Sequence, residues 1–224
     1  MRVLIAVLCL LCLAGCVSTR TTHLENQRAA ELRGKVVALT DRPRAGFVAM
    51  TAGKAMFGML GAAAMIEAGK EIVTENDIPD PAPAVDQALM LAAQKEYGIL
   101  PATIAPVKID TTDISKLAAA AHGADVLFDV QGVAAQFRYL PMQWGKYVVE
   151  TSYKFRIIDV RAQKMIAEGF CFQSTKDEPT HPTRDELLAD KAAQLKGILN
   201  AQREQCTHQF ASQVLSLPDQ PAST

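Results

Sequence analysis

The sequence lacks an excess of either charge. Its 224 residues contain 23 Lys and Arg side chains against 24 Asp and Glu side chains, and no cluster of basic residues stands out. A basic patch is the usual electrostatic footprint of a nucleic-acid-binding protein. With a single tryptophan and 6% aromatic residues, the chain also offers few rings on which bases could stack. The composition therefore argues against nucleic acid as a partner.

The sequence also lacks the common catalytic and cofactor motifs. It has no Gly-rich phosphate loop, no His-Glu-x-x-His and no Gly-x-Ser-x-Gly. Asp125 and Asp129 have the spacing of two carboxylates on one face of a strand, as acid–base catalysis would need. The simpler interpretation is that Asp125 starts the strand and Asp129 faces solvent. The histidines are scattered along the chain: His23, His122, His181 and His208. We predict no catalytic residue, no metal ligand and no cofactor.

The N-terminus has the pattern of a secretory signal. Met1-Arg2 gives a short positive start, and residues 3–13 are apolar throughout. This run is too short for a spanning helix, which takes about 20 apolar residues. The sequence Leu13-Ala14-Gly15-Cys16 at its end resembles the lipobox of bacterial lipoproteins. The resemblance implies cleavage before Cys16 and acylation of that cysteine by diacylglyceryl and palmitate groups. An ordinary secretory signal with an unmodified Cys16 is the alternative.

The same resemblance implies a location. In lipoproteins of bacteria with two membranes, Asp directly after the acylated cysteine favours retention in the inner membrane. Val17 stands at that place here. We therefore expect a lipid-anchored protein at the outer membrane, on its periplasmic face, with the inner membrane as the less favoured alternative.

Two cysteines remain after processing. Cys9 and Cys12 leave with the signal peptide, and Cys16 carries the lipid. Cys171 and Cys206 remain. Because two is an even number and we expect an oxidising compartment, the two cysteines can pair with each other. Cys206 lies on the apolar face of the predicted C-terminal helix, where Cys171 on the last strand could meet it. We predict a disulfide between them, with two buried free thiols as the alternative.

The mature chain divides into a tether, a domain and a tail. After the signal peptide at residues 1–15, residues 16–34 form the lipidated N-terminus and polar tether, 35–215 a single domain and 216–224 a disordered tail. The strongest strand pattern is at 147–160, where period-two alternation indicates a sheet covered on one face. Further strands are predicted at 35–40, 104–109, 124–132 and 164–173. Helices are predicted at 84–97, from Thr111 or Thr112 to Ala121, and after a capping box at Thr183.

Residues 45–73 are unusually rich in Gly, Ala and Met. They include Met56 and Met59 within an uncharged run of twelve residues between Lys54 and Glu67. Three interpretations stay open: a buried helix packed on the sheet, a partner-binding or oligomerising surface, and a membrane-inserting segment. Methionine suits adaptable surfaces as well as cores, so its presence does not decide between them.

The second candidate surface is the segment 134–146, which we predict to be a loop between two strands. It contains Tyr139 and Trp144, the single tryptophan. If these side chains are exposed, they offer a contact site for a partner. If the loop folds back, they cap the core.

The order of elements predicts an α+β fold. We expect a small mixed or antiparallel sheet with helices packed mainly on one face and a C-terminal helix linked to the last strand. The string from His122 to Gly132 and the turn Ile158-Asp159-Val160 resemble those of envelope lipoproteins of the curli-secretion type and of activators of penicillin-binding proteins. That resemblance implies a shared fold and an accessory role. Pore formation is not expected, because residues 45–73 do not alternate in polarity.

These observations lead to two main hypotheses. The first is a non-enzymatic, membrane-anchored envelope lipoprotein that binds a protein partner or assembles with itself, through Met56, Met59, Tyr139 and Trp144. The alternative is a cell-wall or lipid hydrolase with an unrecognised site.

Overall fold

The computed structural model describes residues 21–51, 53 and 58–218. The predicted signal peptide, Cys16, Met56 and residues 219–224 lie outside them. The helices are α1 (Asn26–Glu31), α2 (Gly58–Glu75), α3 (Ala82–Tyr97), α4 (Ile114–Ala120) and α5 (Arg184–Gln213). The strands are β1 (Val36–Asp41), β2 (Phe47–Met50), β3 (Leu100–Pro101), β4 (Val107–Lys108), β5 (Val126–Leu140), β6 (Gln143–Asp159) and β7 (Lys164–Ser174).

The described strands form one mixed sheet, as the predicted fold class requires. Strands β5, β6 and β7 are an antiparallel meander, and β1 runs parallel to β5 on its other side. Strand β2 follows β1 along the same edge of β5 and is also parallel to it. The short strands β3 and β4 pair with β1. Of the strand predicted at 104–109, only the two residues of β4, Val107 and Lys108, are paired in the sheet, and Pro106 directly precedes them.

Helices cover one face of the sheet almost completely. Helices α3 and α5 pack over β1, β5, β6 and β7, and α2 packs over β2. On the opposite face, α4 covers one end of the sheet through Leu117 and Ala118, which contact Leu127 and Ile158. The prediction that β6 is covered on one face is therefore wrong, because alternate residues such as Val148 and Ile158 are buried as well.

The segment 45–73 contains a strand that its composition hides. Residues 47–50 form β2, and α2 then turns back over this strand with Met65 and Ile72 buried. Of the three interpretations of this segment, the buried helix is correct for the side of α2 that faces the sheet. Ile66 on the outer side is exposed. None of the described helices is long and apolar enough to cross a membrane.

The N-terminal residues join the domain earlier than predicted. Leu24, Ala29 and Leu32 are buried in the main core, and Thr22 pairs with Glu168 of β7. The second half of the polar tether predicted at 16–34 is thus packed against the domain, because Ala29 of α1 and the flanking Leu24 and Leu32 remove their apolar surface from water in the main core.

The C-terminal helix carries the predicted capping box and disulfide. Thr183 caps the backbone of Glu186, whose side chain returns to Thr183. Cys206 of α5 is bonded to Cys171 of β7 across a sequence separation of 35 residues. The helix is interrupted at residues 189–192, where Asp190, Lys191 and Ala192 have left-handed φ angles of 50°, 58° and 57°.

Other helix ends follow ordinary capping chemistry. Helix α3 starts at the Pro81–Pro83 segment and ends at Gly98, whose φ of +65° is the left-handed C-cap expected of glycine. Helix α4 is capped by Asp113, whose carboxylate accepts from the N–H groups of Ser115 and Lys116. The predicted caps, Thr111 and Thr112, precede Asp113 by two residues and one residue.

Gly69 allows α2 to touch the backbone of β2. A Cβ atom at this position would lie 1.7 Å from the carbonyl oxygen of Phe47. We expect Gly69→Ala to force the helix away from the strand and to lower the free energy of unfolding by about 1–3 kcal/mol. Gly197→Ala is the matched control, since that exposed helical glycine has open space around it and should gain up to about 1 kcal/mol in helix propensity. Urea denaturation measures both, and equal effects of the two substitutions would contradict the close approach.

Candidate partner-binding surface

The segment predicted to be a loop is the end of a long β-hairpin. Strands β5 and β6 continue through it and meet at a tight turn around Pro141 and Met142. Met142 supplies the left-handed backbone of this turn with a φ angle of 72°, and Gly145, where the strand register is irregular, has a φ angle of 75°. The loop prediction was wrong because the outer part of the hairpin is half exposed on both faces, so it shows no clean alternation of polarity.

The hairpin tip presents two large apolar side chains to solvent. Trp144 is 89% exposed and Met142 is 95% exposed. Sequence reasoning selected Trp144, whereas Met142 was only one of several residues in the predicted loop. The sequence feature that could have identified Met142 as a turn residue is the preceding Pro141, since proline is common in tight turns. Exposed Trp and Met side chains are enriched at protein interfaces.

The other predicted contact residues are placed differently. Tyr139 is partly buried, because it packs beside the core formed by β2, α2 and α5 and stands opposite Tyr147. Met59 belongs to the first turn of α2, and Met56 lies outside the described residues. The described part of the chain therefore concentrates the exposed candidate residues at the tip, with Tyr139 at its base.

Aromatic rings hold the outer half of the hairpin in place. Phe137 of β5 makes edge-on contacts with Phe47 of β2 and Tyr147 of β6, with ring centroids 5.9 and 5.3 Å apart. Such contacts add about 0.5–1.5 kcal/mol each to the burial of the rings. The tip is consequently the end of an ordered ribbon that is fixed to the core by Phe137, two residues before Tyr139.

On the opposite face of the same ribbon, Glu150 organises a polar cluster. Its carboxylate accepts from Arg138 Nη2 at 2.8 Å, from Gln136 Nε2 at 2.7 Å and from Ser174 Oγ at 3.3 Å. Burial raises the pKa of Glu150, but the hydrogen bonds from Arg138 and Gln136 and the charge of Arg138 outweigh this and hold the pKa below its usual value. Glu150 thus stays ionised and links three strands.

Asp129 is buried between two arginines, contrary to the expectation that it faces solvent. Its carboxylate accepts from Arg42 Nε at 2.6 Å, from Arg156 Nε at 2.7 Å and from Thr40 Oγ1 at 2.9 Å. Asp125, four residues earlier, is exposed and accepts from the backbone N–H of Val36. The two carboxylates share a strand face but not an environment, so they do not form an acid–base pair.

The two arginines of this cluster also donate to backbone carbonyls. Arg42 Nη1 donates to the carbonyl of Thr111 at 2.5 Å, and Arg156 Nη1 donates to that of Thr112 at 3.2 Å. The cluster therefore joins β1, β5 and β6 to the segment that leads into α4. Since two guanidinium groups face one carboxylate, the carbonyl dipoles stabilise the remaining positive charge.

Asp86 of α3 is a second buried carboxyl group. Burial raises its pKa well above the usual value, the nearby charge of Asp129 raises it further, and the Val130 N–H and Arg42 lower it. Its Oδ1 atom is buried and has no hydrogen-bond partner among the described residues. The raised pKa favours the protonated form of Asp86, which avoids a second buried negative charge near Asp129.

The described residues do not assemble a metal-binding cluster. Within residues 21–51, 53 and 58–218, no group of three or more His, Cys, Asp and Glu side chains could hold a metal ion. His23, His122 and His208 are exposed, and His181 is half-buried in the segment before α5.

Comparisons with known proteins find similarity only at the level of structure. No family model and no curated protein matches the sequence. A lipoprotein of Neisseria meningitidis aligns with 80% of this chain and 99% of its own, at 14% identity and a TM-score of 0.28. The PelC dodecamer of Paraburkholderia phytofirmans aligns with 87% of this chain and 96% of its own, at 15% identity and a TM-score of 0.34. The LpoB C-terminal domain of Salmonella enterica aligns with 63% and 83%, at 15% identity and a TM-score of 0.23.

The buried charge cluster predicts a sharp difference between Asp129 of β5 and Asp125, which directly precedes that strand. Asp129→Ala leaves Arg42 and Arg156 as unpaired buried charges and should lower the free energy of unfolding by about 3–5 kcal/mol. Asp125→Ala removes an exposed ion pair with Lys35, at 3.7 Å, and one hydrogen bond, and should cost about 1–2 kcal/mol. Urea denaturation of the oxidised proteins at pH 7 tests this, and similar losses for both variants would refute the importance of the cluster.

Proposed function

We propose that this protein is a membrane-anchored envelope lipoprotein, acylated on Cys16, whose domain binds a protein partner through the tip of the β5–β6 hairpin. The observation that carries the proposal is Leu13-Ala14-Gly15-Cys16 at the end of an apolar run that begins after Met1-Arg2. The role is an accessory one at the outer membrane, on its periplasmic face, and involves no chemistry by the domain itself.

Acylation would provide firm attachment. Each methylene buried in the bilayer contributes about 0.8 kcal/mol, and stable residence takes more than one chain. A diacylglyceryl group on the thiol and a further acyl group on the new amine satisfy that requirement. Because the attachment is covalent, the domain needs no membrane-spanning helix of its own.

The exposed tip supports a binding role. Trp144 and Met142 add little to the stability of the monomer, since almost all of their surface is in contact with water. Burial of one tryptophan and one methionine at an interface is the kind of contact that dominates binding energy. The aromatic contacts of Phe137 keep the ribbon ordered, which lowers the entropy that binding must remove.

The lipid anchor predicts a defined mass and a defined dependence on one cysteine. Protein extracted from membranes should have the intact mass of a triacylated chain that starts at Cys16, with two additional hydrogens after reduction of the disulfide. Cys16→Ser should abolish the acyl mass and release the protein from the membrane fraction. Cys12→Ser, inside the predicted signal peptide, is the control and should leave both unchanged. A wild-type mass without acyl groups would refute the anchor.

The tip predicts a localised contact. A photo-crosslinking amino acid in place of Trp144 should yield a discrete crosslinked product in cells, whereas the same amino acid in place of Leu91 should not. Leu91 is a matched control because it is 65% exposed on α3, which packs on the inner part of β5 at Val126–Val130 and not at the tip. A product of twice the protein's mass would indicate a second copy, and any other mass would indicate a different partner. Equal crosslinking from both positions would count against a binding role for the tip.

A further inference from the structure

The chain joins the fold at a well-defined place beside the edge strand β7. The Thr22 N–H donates to the carbonyl of Glu168 at 2.8 Å, and the Glu168 N–H donates to the carbonyl of Thr22 at 3.0 Å. Two residues later, Leu24 is fully buried, and its N–H donates to the carbonyl of Val214. From Thr22 onward the backbone therefore belongs to the domain.

The distance from the anchor to this place is short. The sequence advances by six residues from Cys16 to Thr22. A fully extended chain spans at most about 3.3–3.6 Å per residue, which gives about 20–22 Å. If Cys16 carries the lipid, Thr22 and the middle of β7 are held within that distance of the acylated thiol at the bilayer surface.

The surface around Thr22 has the chemistry of a lipid contact. Phe172 is 55% exposed and Met165 is 38% exposed, on opposite sides of Glu168 along β7. Lys154 neutralises Glu168 through an ion pair of 3.0 Å. Arg161 in the turn before β7 and Lys164, the first residue of β7, are exposed and are suited to phosphate headgroups. Aromatic and methionine side chains next to basic ones are typical of interfacial contacts.

We propose that the β7 side of the domain lies against the lipid surface, with Phe172 and Met165 in contact with the bilayer interface and the hairpin tip directed away from it. This inference rests on the proposed acylation of Cys16. It places the partner of Trp144 in the aqueous compartment rather than in the membrane.

The length of β6 separates the two surfaces. Glu168 stands opposite Arg156 of β6, and Trp144 lies twelve residues before Arg156 on the same strand. At about 3.3 Å per residue, the tip is about 40 Å from the place where the chain joins the fold. That distance is twice the reach of the segment between Cys16 and Thr22, so the anchor does not by itself draw the tip to the membrane.

Tryptophan fluorescence can distinguish the two surfaces, since Trp144 is the single tryptophan of the sequence. Acylated wild-type protein reports on the tip, and acylated Trp144→Phe/Phe172→Trp protein reports on the β7 side. Both are reconstituted into phosphatidylethanolamine–phosphatidylglycerol vesicles that contain phospholipids brominated near the ester end of the acyl chains. We expect the bromines to remove most of the emission from the indole at position 172 and to leave the emission of Trp144 unchanged. Thermal melts of both proteins verify that the exposed substitutions preserve the fold.

Each remaining outcome contradicts the orientation. Quenching of Trp144 alone, equal quenching of both indoles, or quenching of neither would overturn it. The intact mass of each sample separates this inference from the proposal beneath it. Unacylated wild-type protein would overturn the proposed function, and the orientation with it, whereas correctly acylated protein with the wrong quenching pattern overturns the orientation alone.

Discussion

The buried carboxylate of Asp129 is the constraint on which the arrangement of the sheet depends. It accepts from two arginines, Arg42 after β1 and Arg156 in β6, so it fixes both neighbours of β5 at once. A buried charge is tolerated when it is paired and hydrogen-bonded. If the pairing register of β5 shifted by one residue, the Asp129 side chain would point to the other face of the sheet and lose these partners. The cluster therefore penalises every alternative register of the three central strands.

The outer half of the hairpin is held by different interactions. Beyond an irregularity between Gly132 and Ala134, the strands are joined by the Phe137 ring contacts on one face and by the Glu150 cluster on the other. Charge thus specifies the base of the ribbon, and apolar packing together with a second charge cluster stabilises its outer part. Such a ribbon can carry an exposed tip far from the core without losing order, which a flexible loop could not do.

Features that depend on residues close together in the sequence could be predicted. Features that depend on contacts between distant residues could not. The capping box at Thr183 and the Gly98 cap depend on residues within a few positions, and they were found. The Cys171–Cys206 disulfide could be inferred because both ends lie on predictable faces. The pairing of Asp129 with Arg42 spans 87 residues, and no local pattern reports it. Strand β2 is four residues long, and it is defined by long-range contacts, its pairing with β5 and the close approach of Gly69 of α2.

The tip could be found in the sequence by its composition but not by its geometry. From the sequence, Tyr139 and Trp144 could each be either exposed or part of the core. The fold distinguishes them, because Tyr139 packs beside Tyr147 whereas Trp144 lies beyond the last contact with the core. An almost fully exposed tryptophan contributes little to folding, so the stability of the monomer does not account for it. This exposed position at the start of β6 would tolerate a polar residue equally well. The side chain is therefore best explained by a contact that the isolated domain does not contain.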